Sequence, residues 1–198
     1  NIDVLVLTFF CDLKTVSIYS VYHTVFLQVA QMVKGIANGT KASFGQLYSI
    51  DRERFKRTYN HFKIGYRFAA GAVLTAAAIS TMPFIRIYTR NFKDTDYVNM
   101  VYPLMFFFSN YLDIIRWPEV VTINSTGFFQ ETVKPALLET GINLALSIIL
   151  VSGYGIYGVL AATIVSLAYR TVDFFRFVSK NLTGDKWMKD TGYMAVSG

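Results

Sequence analysis

Six ionisable residues lie inside or at the edges of long apolar segments, and their types suit contact with a charged ligand. They are Lys34, Asp113, Arg116, Glu139, Arg170 and Asp173. A charge at the centre of a bilayer costs about 2.5 to 3.5 kcal/mol, so such groups usually face a bundle interior or a wet cavity and mark a transport path. We therefore expect these side chains to line one vestibule.

The spacing of these residues divides them into two kinds. Asp113 and Arg116 are three residues apart and can pair along one helix face, and Arg170 and Asp173 repeat that spacing. Pairing explains both sets without a ligand, and Arg170 can equally extend its charge to the headgroup layer. Lys34 has no acidic residue within a helical turn. It is therefore the first candidate for contact with an anion.

Two polar residues of a later segment, Glu139 and Asn143, are one helical turn apart and therefore share a helix face. A carboxylate at this position can balance Lys34, or it can bind a coupling proton or cation. Both interpretations stay open on the sequence alone.

The composition favours a membrane environment for the elements that hold these residues. The chain has 198 residues, of which 53% are hydrophobic and 16% charged, and its mean hydropathy is +0.37. Ordinary soluble domains carry about 25% charged residues. Uncharged runs cover 15–33, 68–85, 97–112 and 140–169. A soluble helical protein is the alternative, but "FAAGAVLTAAAIS" and "NLALSIILVSG" lack the polar face that a core-facing helix shows.

These runs predict an all-α polytopic membrane protein. Crossing the hydrocarbon takes about 20 helical residues, and the longest run holds two crossings separated by the glycine-rich segment "SGYGIYG". We expect helices at about 2–12, 16–44, 62–86, 97–122, 132–152 and 156–179, with the first lacking its start. Residues 181–198 are expected to form a cytoplasmic tail or a link to further helices.

Basic residues set the expected orientation, because Lys and Arg are retained on the cytoplasmic side of a membrane. A loop with Arg52, Arg54, Lys56 and Arg57 and the basic segment after residue 175 lie on the same side by parity. We interpret the basic loop as a membrane anchor and expect no nucleic-acid partner. Pro118 follows Trp117 and disfavours helix there, so the fourth helix is expected to bend or end just past Arg116.

Signatures of enzymes and metal sites are missing from the sequence. Cys11 is the single cysteine, and His23 and His61 have no metal-ligand spacing. There is no glycine-rich phosphate loop, no HExxH and no nucleophile elbow. We therefore expect a protein that is not an enzyme and that uses neither a cofactor nor a metal.

Three segments resemble bacterial Wzx-type polysaccharide flippases of the MOP superfamily. "NIDVLVLTFFCDLKTVSIYSVYHTVF" resembles the first-to-second helix junction of a repeat, "KASFGQLYS" the end of that second helix, and "GINLALSIILVSGYGIYGVLAATIVSLAYRT" the fifth and sixth helices. The resemblance covers about residues 1–180. It implies one six-helix bundle, with its first helix truncated, of a two-bundle MATE-like transporter, and we interpret this bundle as the second.

The resemblance also implies a function. Such proteins move undecaprenyl-pyrophosphate-linked oligosaccharide outward by alternating access, during synthesis of surface polysaccharide such as lipopolysaccharide or capsule. Lys34, Arg116 and Arg170 are the positions expected to bind the pyrophosphate, with Asp113, Glu139, Asn143 and Asp173 as polar cavity or coupling residues. Expected partners are the lipid-linked oligosaccharide, membrane lipid, and the polysaccharide polymerase with its chain-length machinery, in the bacterial cytoplasmic (inner) membrane.

Two other functions stay open. In a MATE-like cation-coupled exporter of small organic molecules, Asp113 or Glu139 would bind the coupling ion. An integral-membrane glycosyltransferase or polymerase would need a large catalytic loop beyond this sequence.

Overall fold

The described part of the chain consists of helices joined by short connections. The computed structural model describes residues 2–90 and 97–183, and within these ranges no residue belongs to a β-strand. In chain order the helices are α1 (Ile2–Phe10), α2 (Leu13–Asn38), α3 (Lys41–Ile50), α4 (Arg52–Tyr88), α5 (Val101–Ile115), α6 (Trp117–Thr126) and α7 (Val133–Val178). A 3₁₀ turn, Phe128–Thr132, precedes α7, and a π turn, Ser179–Thr183, follows it. The expectation of an all-α chain is confirmed for these residues.

The junction between α1 and α2 is set by an aspartate cap. Asp12 has extended backbone geometry, and its carboxylate accepts hydrogen bonds from the Thr15 hydroxyl and, at 3.0 Å, from the Thr15 backbone N–H. A side chain that accepts from the first turn satisfies an N–H that the helix itself leaves unpaired. These two hydrogen bonds hold the pKa of Asp12 below its ordinary value, and the bond from the Thr15 hydroxyl has the larger effect.

The second and third helices differ from the expected spans. A helix was expected over 16–44, but α2 ends at Asn38 and α3 starts afresh at Lys41 after Gly39 and Thr40. The basic segment after residue 51 was expected to be a loop, but it is the first turn of α4. The Asp51 carboxylate accepts from the Arg54 backbone N–H at 2.9 Å and starts that helix. At 37 residues, α4 is about 55 Å long, which exceeds the hydrocarbon thickness.

The helix expected over 97–122 is interrupted at one residue. Helix α5 ends at Ile115, Arg116 has φ −85° and ψ −6°, and α6 begins at Trp117 with Pro118 in its first turn. A proline is tolerated there because a first-turn N–H has no partner within the helix. The break therefore falls at Arg116 itself and turns its side chain into the space between α5 and α7. Residues 91–96, which include the ionisable residues Lys93, Asp94 and Asp96, lie outside the described ranges.

Helix α7 doubles back on itself at Gly155. Gly155 has φ 52° and ψ −126°, a conformation that only glycine adopts readily. Arg170 donates to the Thr132 carbonyl at 2.8 Å. A straight helix would separate these residues by about 57 Å, so the arms 133–154 and 156–178 must run antiparallel. This reversal lies inside the glycine-rich segment where the sequence analysis expected a turn.

Gly158 lets the two arms of α7 approach at the reversal. A Cβ added there would lie 2.4 Å from the Leu150 carbonyl oxygen, closer than real Cβ atoms come. Ala162 and Ser166, one and two turns further along, are also buried. The small-residue spacing of this segment therefore serves close packing of the two arms.

Aromatic contacts place α2 and α5 side by side. Phe106 of α5 lies against Tyr22 and Phe26 of α2, with ring centroids 6.0 and 5.8 Å apart, and Tyr22 also contacts Tyr102 at 5.4 Å. Residues later in α2 meet residues later in α5, so the two helices run parallel. The same register brings the last turn of α2 to the last turn of α5.

Helices α4 and α7 carry large apolar side chains on their outer faces. Phe68, Ile79 and Ile149 are 82%, 72% and 67% exposed. Monomeric soluble proteins rarely expose large contiguous apolar surfaces. Two helical segments, Arg52–Tyr88 and Phe128–Thr183, are long and apolar enough to cross a membrane. The expected tail is described only as far as Thr183, and residues 184–198 lie outside the described ranges.

Candidate functional site

Five ion pairs join the six ionisable side chains into one continuous row, which we call the charge ladder. The Lys34 ammonium contacts the Asp113 carboxylate, and Arg116 donates to Asp113 Oδ1 at 2.9 Å. Arg116 also donates to Glu139 Oε1 at 3.0 Å. Arg170 contacts the other oxygen of Glu139 at 3.4 Å and Asp173 Oδ2 at 2.7 Å. The order of the row is Lys34, Asp113, Arg116, Glu139, Arg170, Asp173.

The signs of the charges alternate along the ladder, so each inner residue lies between two residues of the opposite sign. Three cations and three carboxylates give the ladder no net charge. Attraction between neighbours offsets the cost of removing each charge from water.

Four helical segments position the ladder. Lys34 lies near the end of α2, Asp113 in the last turn of α5, and Arg116 at the break that follows α5. Glu139 is on the first arm of α7, and Arg170 and Asp173 are on the second arm. Because the reversal at Gly155 brings the two arms together, Glu139 meets Arg170 although 31 positions separate them in the sequence.

Aromatic rings support the basic members of the ladder. The Lys34 ammonium lies 4.3 Å from the centroid of the Trp117 ring, and the Arg170 guanidinium lies 4.1 Å from that of Phe174. The Arg116 guanidinium is 5.6 Å from the same Phe174 ring. A cation over an aromatic face gains roughly 0.5 to 2 kcal/mol, more as water is excluded. The rings thus hold the cations in place without neutralising them.

Burial varies along the ladder. The Arg170 side chain is only 4% exposed, while Lys34 and Asp113 are 18% and 24% exposed. Among the three cations Lys34 is therefore the most open to solutes and Arg170 the least, while the carboxylate of Asp173 at the far end of the ladder is 30% exposed. An anion can reach Lys34 first, and it can reach Arg170 only if the row of pairs opens.

The structure agrees with some of the pairings predicted from the sequence and changes others. Asp113 with Arg116 and Arg170 with Asp173 do pair as their spacing indicated. Lys34 has an acidic partner after all, because Asp113 reaches it from another helix. Glu139 does not balance Lys34, since both of its oxygens contact arginines.

Asn143, the remaining predicted residue, belongs to a neighbouring polar cluster. Its amide donates to the Thr163 hydroxyl at 3.0 Å, and Thr163 in turn donates to Asp3 Oδ2 at 3.0 Å. The Tyr19 hydroxyl donates to the same Asp3 oxygen at 2.7 Å. A cavity of about 330 Å³ is lined by both Asp3 and Glu139, so it lies between this cluster and the charge ladder.

Asp3 was missed by the sequence analysis because α1 was taken as the end of a truncated apolar helix. The one acidic residue in "IDVLVLTFF" was the available signal. In the folded chain Asp3 is 6% exposed and ties α1 to α2 and to the second arm of α7.

A second buried carboxylate was also missed. Glu119 of α6 is 2% exposed and accepts from the Tyr59 hydroxyl at 2.8 Å and from Arg67 at 2.5 Å. Arg67 also donates to the Ile115 carbonyl at 3.2 Å and lies over the Phe175 ring. These contacts hold α4, α6 and the second arm of α7 together. The sequence feature that could have indicated these contacts is a glutamate placed between Pro118 and two valines.

The chemistry available here is binding and exchange of ions. Within 2–90 and 97–183, no three His, Cys, Asp or Glu side chains are grouped as a metal site. Comparisons with protein-family models, with curated proteins and with solved structures found no match to this chain. The charge ladder and its surroundings are therefore the basis for a functional proposal.

Proposed function

We propose that this chain is one six-helix bundle of a two-bundle membrane transporter, and that the transporter flips undecaprenyl-pyrophosphate-linked oligosaccharide across the bacterial cytoplasmic membrane. The charge ladder is the observation that carries the proposal. It sets three cations on three helices within an assembly whose outer faces are apolar. A pyrophosphate group carries dense negative charge, and several convergent cations suit it.

The apolar exterior supports placement of this bundle in a membrane. Large apolar side chains are exposed on several helices while the ionic contacts are mostly buried, a distribution that suits a lipid surrounding. The Gly155 reversal divides the long segment Phe128–Thr183 into two antiparallel arms, and α2 and α5 pack against α7. We place the bundle as a multi-pass assembly on this ground.

The basic start of α4 supports the orientation. Arg52, Arg54 and Lys56 lie at the end of the assembly where α2 ends and α4 begins, and the ladder lies toward the same end. Basic residues stay on the cytoplasmic side. The ladder would then open toward the compartment in which lipid-linked oligosaccharide is assembled.

The ladder suggests how substrate binding drives a conformational change. In the paired state the carboxylates of Asp113, Glu139 and Asp173 occupy the three cations as built-in anions. A pyrophosphate that contacts Lys34 competes with Asp113, and further penetration separates Arg116 from Glu139. Each of these pairs joins different helices, so replacing them releases α2, α5 and α7 to move relative to one another. Binding and rearrangement are then the same event, as alternating access requires.

A MATE-like cation-coupled exporter is the second candidate, and the cluster around Asp3 favours it. The Asp3 carboxylate accepts from two hydroxyls, and the side-chain oxygen of Asn143 is buried without a hydrogen-bond partner. Asp3 and Asn143 both line the cavity of about 330 Å³. Oxygen donors of this kind suit a proton or a small cation. Such a site would power an exporter, although a flippase can use it as well.

The test is complementation in a bacterial host that lacks its own flippase. The gene that encodes this chain is expressed over its whole reading frame as wild type, Lys34→Ala and Lys56→Ala, at matched membrane levels. Lys56 is the matched control because it is also a paired lysine, but its partner Glu53 is 76% exposed. Surface polysaccharide and cytoplasmic-side lipid-linked sugar are measured.

Wild type and Lys56→Ala are expected to restore polymer, while Lys34→Ala accumulates lipid-linked precursor. The flippase proposal fails if wild type restores no polymer with any sugar donor tested. If wild type then also lowers drug accumulation, the exporter takes its place.

A further inference from the structure

Helix α2 carries an uncharged polar stripe that is exposed along most of its length and contacts Tyr97 through Ser17 and Trp117 through Asn38 at its two ends. We call it the α2 stripe, and its members are Ser17, Ser20, Thr24, Gln28, Gln31, Gly35 and Asn38. At 3.6 residues per turn these positions fall within about 80° of arc along the helix. The buried face of α2, with Tyr22 and Phe26, lies on the opposite side.

A polar stripe is unfavourable on a surface that faces lipid. Its neighbours Met32 and Ile36 are 77% and 63% exposed, as a lipid-facing helix requires. Thr24, Gln28 and Gln31 are exposed as well. An amide that meets hydrocarbon without a hydrogen bond costs roughly 2 to 7 kcal/mol. The side-chain amides of Gln28 and Gln31 must therefore face water or a polar ligand, and the lack of charge on the stripe argues against a charged ligand.

A groove with aromatic walls runs beside the stripe. It has a volume of about 520 Å³ and lies between α2 and the end of α4. Thr24 and Gln28 line one side, and Phe84 and Tyr88 line the other with stacked rings 5.6 Å apart. Sites for small molecules usually measure about 300 to 1,000 Å³ and combine apolar walls with a few placed polar groups.

This combination matches the chemistry of a neutral sugar. Hydroxyl and amide groups exchange hydrogen bonds with sugar hydroxyls, and each can both donate and accept. The electron-rich face of an aromatic ring attracts the positively polarised C–H bonds on the face of a pyranose ring. An acyl or prenyl chain would use the apolar walls but would leave the amide of Gln28 unpaired.

We propose that the groove beside the α2 stripe binds the glycan of the lipid-linked substrate. This rests on the proposed function, because it assigns the sugar part of the same molecule whose pyrophosphate meets the ladder. Lys34 borders the stripe on the side of α5 and is the most exposed of the three cations of the ladder. From Lys34 to Thr24 is about 15 Å along the helix. A pyrophosphate at Lys34 therefore places its attached sugars along α2, toward the groove.

The test compares two ligands on the whole protein in lipid nanodiscs. The probes are undecaprenyl pyrophosphate without sugar and undecaprenyl-pyrophosphate oligosaccharide extracted from the organism that encodes the chain. Affinities are measured by scintillation proximity with radiolabelled lipid. The groove variants are Thr24→Val, Gln28→Ala and Phe84→Ala. Three separate side chains are changed so that poor folding of one variant does not remove the test.

Matched controls lie on α4 away from the groove. Thr75→Val controls for Thr24→Val, because both hydroxyls are exposed and donate at 2.8 Å to the carbonyl one turn earlier. Phe68→Ala controls for Phe84→Ala, since Phe68 is also an exposed phenylalanine of α4. Neither control residue lines the groove.

Each groove variant is expected to weaken binding of the sugar-bearing lipid by about three- to tenfold, which is the range of one lost hydrogen bond or aromatic contact. Binding of the sugar-free lipid and the affinities of both controls should stay unchanged, whereas Lys34→Ala should weaken the binding of both lipids.

Equal effects of the groove variants on the two lipids, or no effect on either, overturn the glycan site and leave the flippase proposal standing. Wild type that binds neither lipid overturns both. Groove variants that lower the yield of folded protein, with sugar affinity intact, identify the groove as a contact with the other bundle instead.

Discussion

Neutralising Glu139 should destabilise the protein strongly, because this carboxylate bridges two guanidinium groups in the middle of the charge ladder. Its oxygens lie 3.0 Å from Arg116 and 3.4 Å from Arg170. Coulomb's law at an effective dielectric constant of about 20 gives roughly 5 kcal/mol for each contact before desolvation is subtracted. Breaking a fully buried pair costs about 3 to 5 kcal/mol. With Glu139 20% exposed, we expect Glu139→Gln to lower the free energy of unfolding by about 2 to 4 kcal/mol.

A second glutamate-to-glutamine substitution, at an exposed ion pair, separates the effect of burial from the effect of losing a carboxylate. Glu53→Gln removes a carboxylate that also lies 3.0 Å from its cation, but Glu53 is 76% exposed. Exposed pairs contribute about 0 to 1 kcal/mol, so this variant should behave nearly as wild type. Unfolding is followed by tryptophan fluorescence in detergent micelles. The double variant Glu139→Gln with Arg116→Gln should lose less than the sum of its parts, because each change removes the same contact. Indistinguishable stabilities of Glu139→Gln and Glu53→Gln would refute this reading of the ladder.

Three further predictions concern the scaffold around the ladder. Gly158→Ala should lower the free energy of unfolding by about 1 to 3 kcal/mol through overpacking. Gly153→Ala is the control and should be tolerated, because its added Cβ meets nothing within 4 Å. Equal thermal stabilities of the two variants would contradict the close approach of the arms. Tyr59→Phe removes a donor to a buried carboxylate and should cost about 1 to 3 kcal/mol, whereas Tyr154→Phe, at a side chain 67% exposed, should be neutral in the same assay. The cap at Asp12 has a pKa below its ordinary value, so its stabilising effect is present above about pH 4 and is lost as the pH falls through the lowered pKa. The difference in melting temperature between wild type and Asp12→Ala should therefore shrink below that pH, and a difference that grows on acidification would contradict the assigned cap.

The residues of the ladder could be predicted because charge is conspicuous in apolar sequence, but their partners could not. Spacing along one helix indicated that Asp113 meets Arg116 and that Arg170 meets Asp173. The contacts of Lys34 with Asp113 and of Glu139 with both arginines join separate helices. They depend on how far each helix is rotated about its axis, and periodicity within one segment carries no information on that rotation.

Helix boundaries show the same division. The glycine-rich reversal was visible in the sequence because a chain that turns sharply needs residues free of a Cβ. The start of α4 was missed because its basic residues read as a loop, while the cap at Asp51 decided the outcome. The buried Glu119 was missed because its donors, Tyr59 and Arg67, lie on a different helix, and Tyr59 precedes the expected start of that helix.

The sequence by itself determined that the chain is helical, that its helices are apolar, and that a few charges interrupt them. Those properties follow from composition and local periodicity, which act within one segment. Only the tertiary structure decided that the charges form a single neutral row and that the polar face of α2 is left outward. Both depend on the parallel register of α2 with α5 and on the reversal of α7 at Gly155, which bring together side chains far apart in the chain.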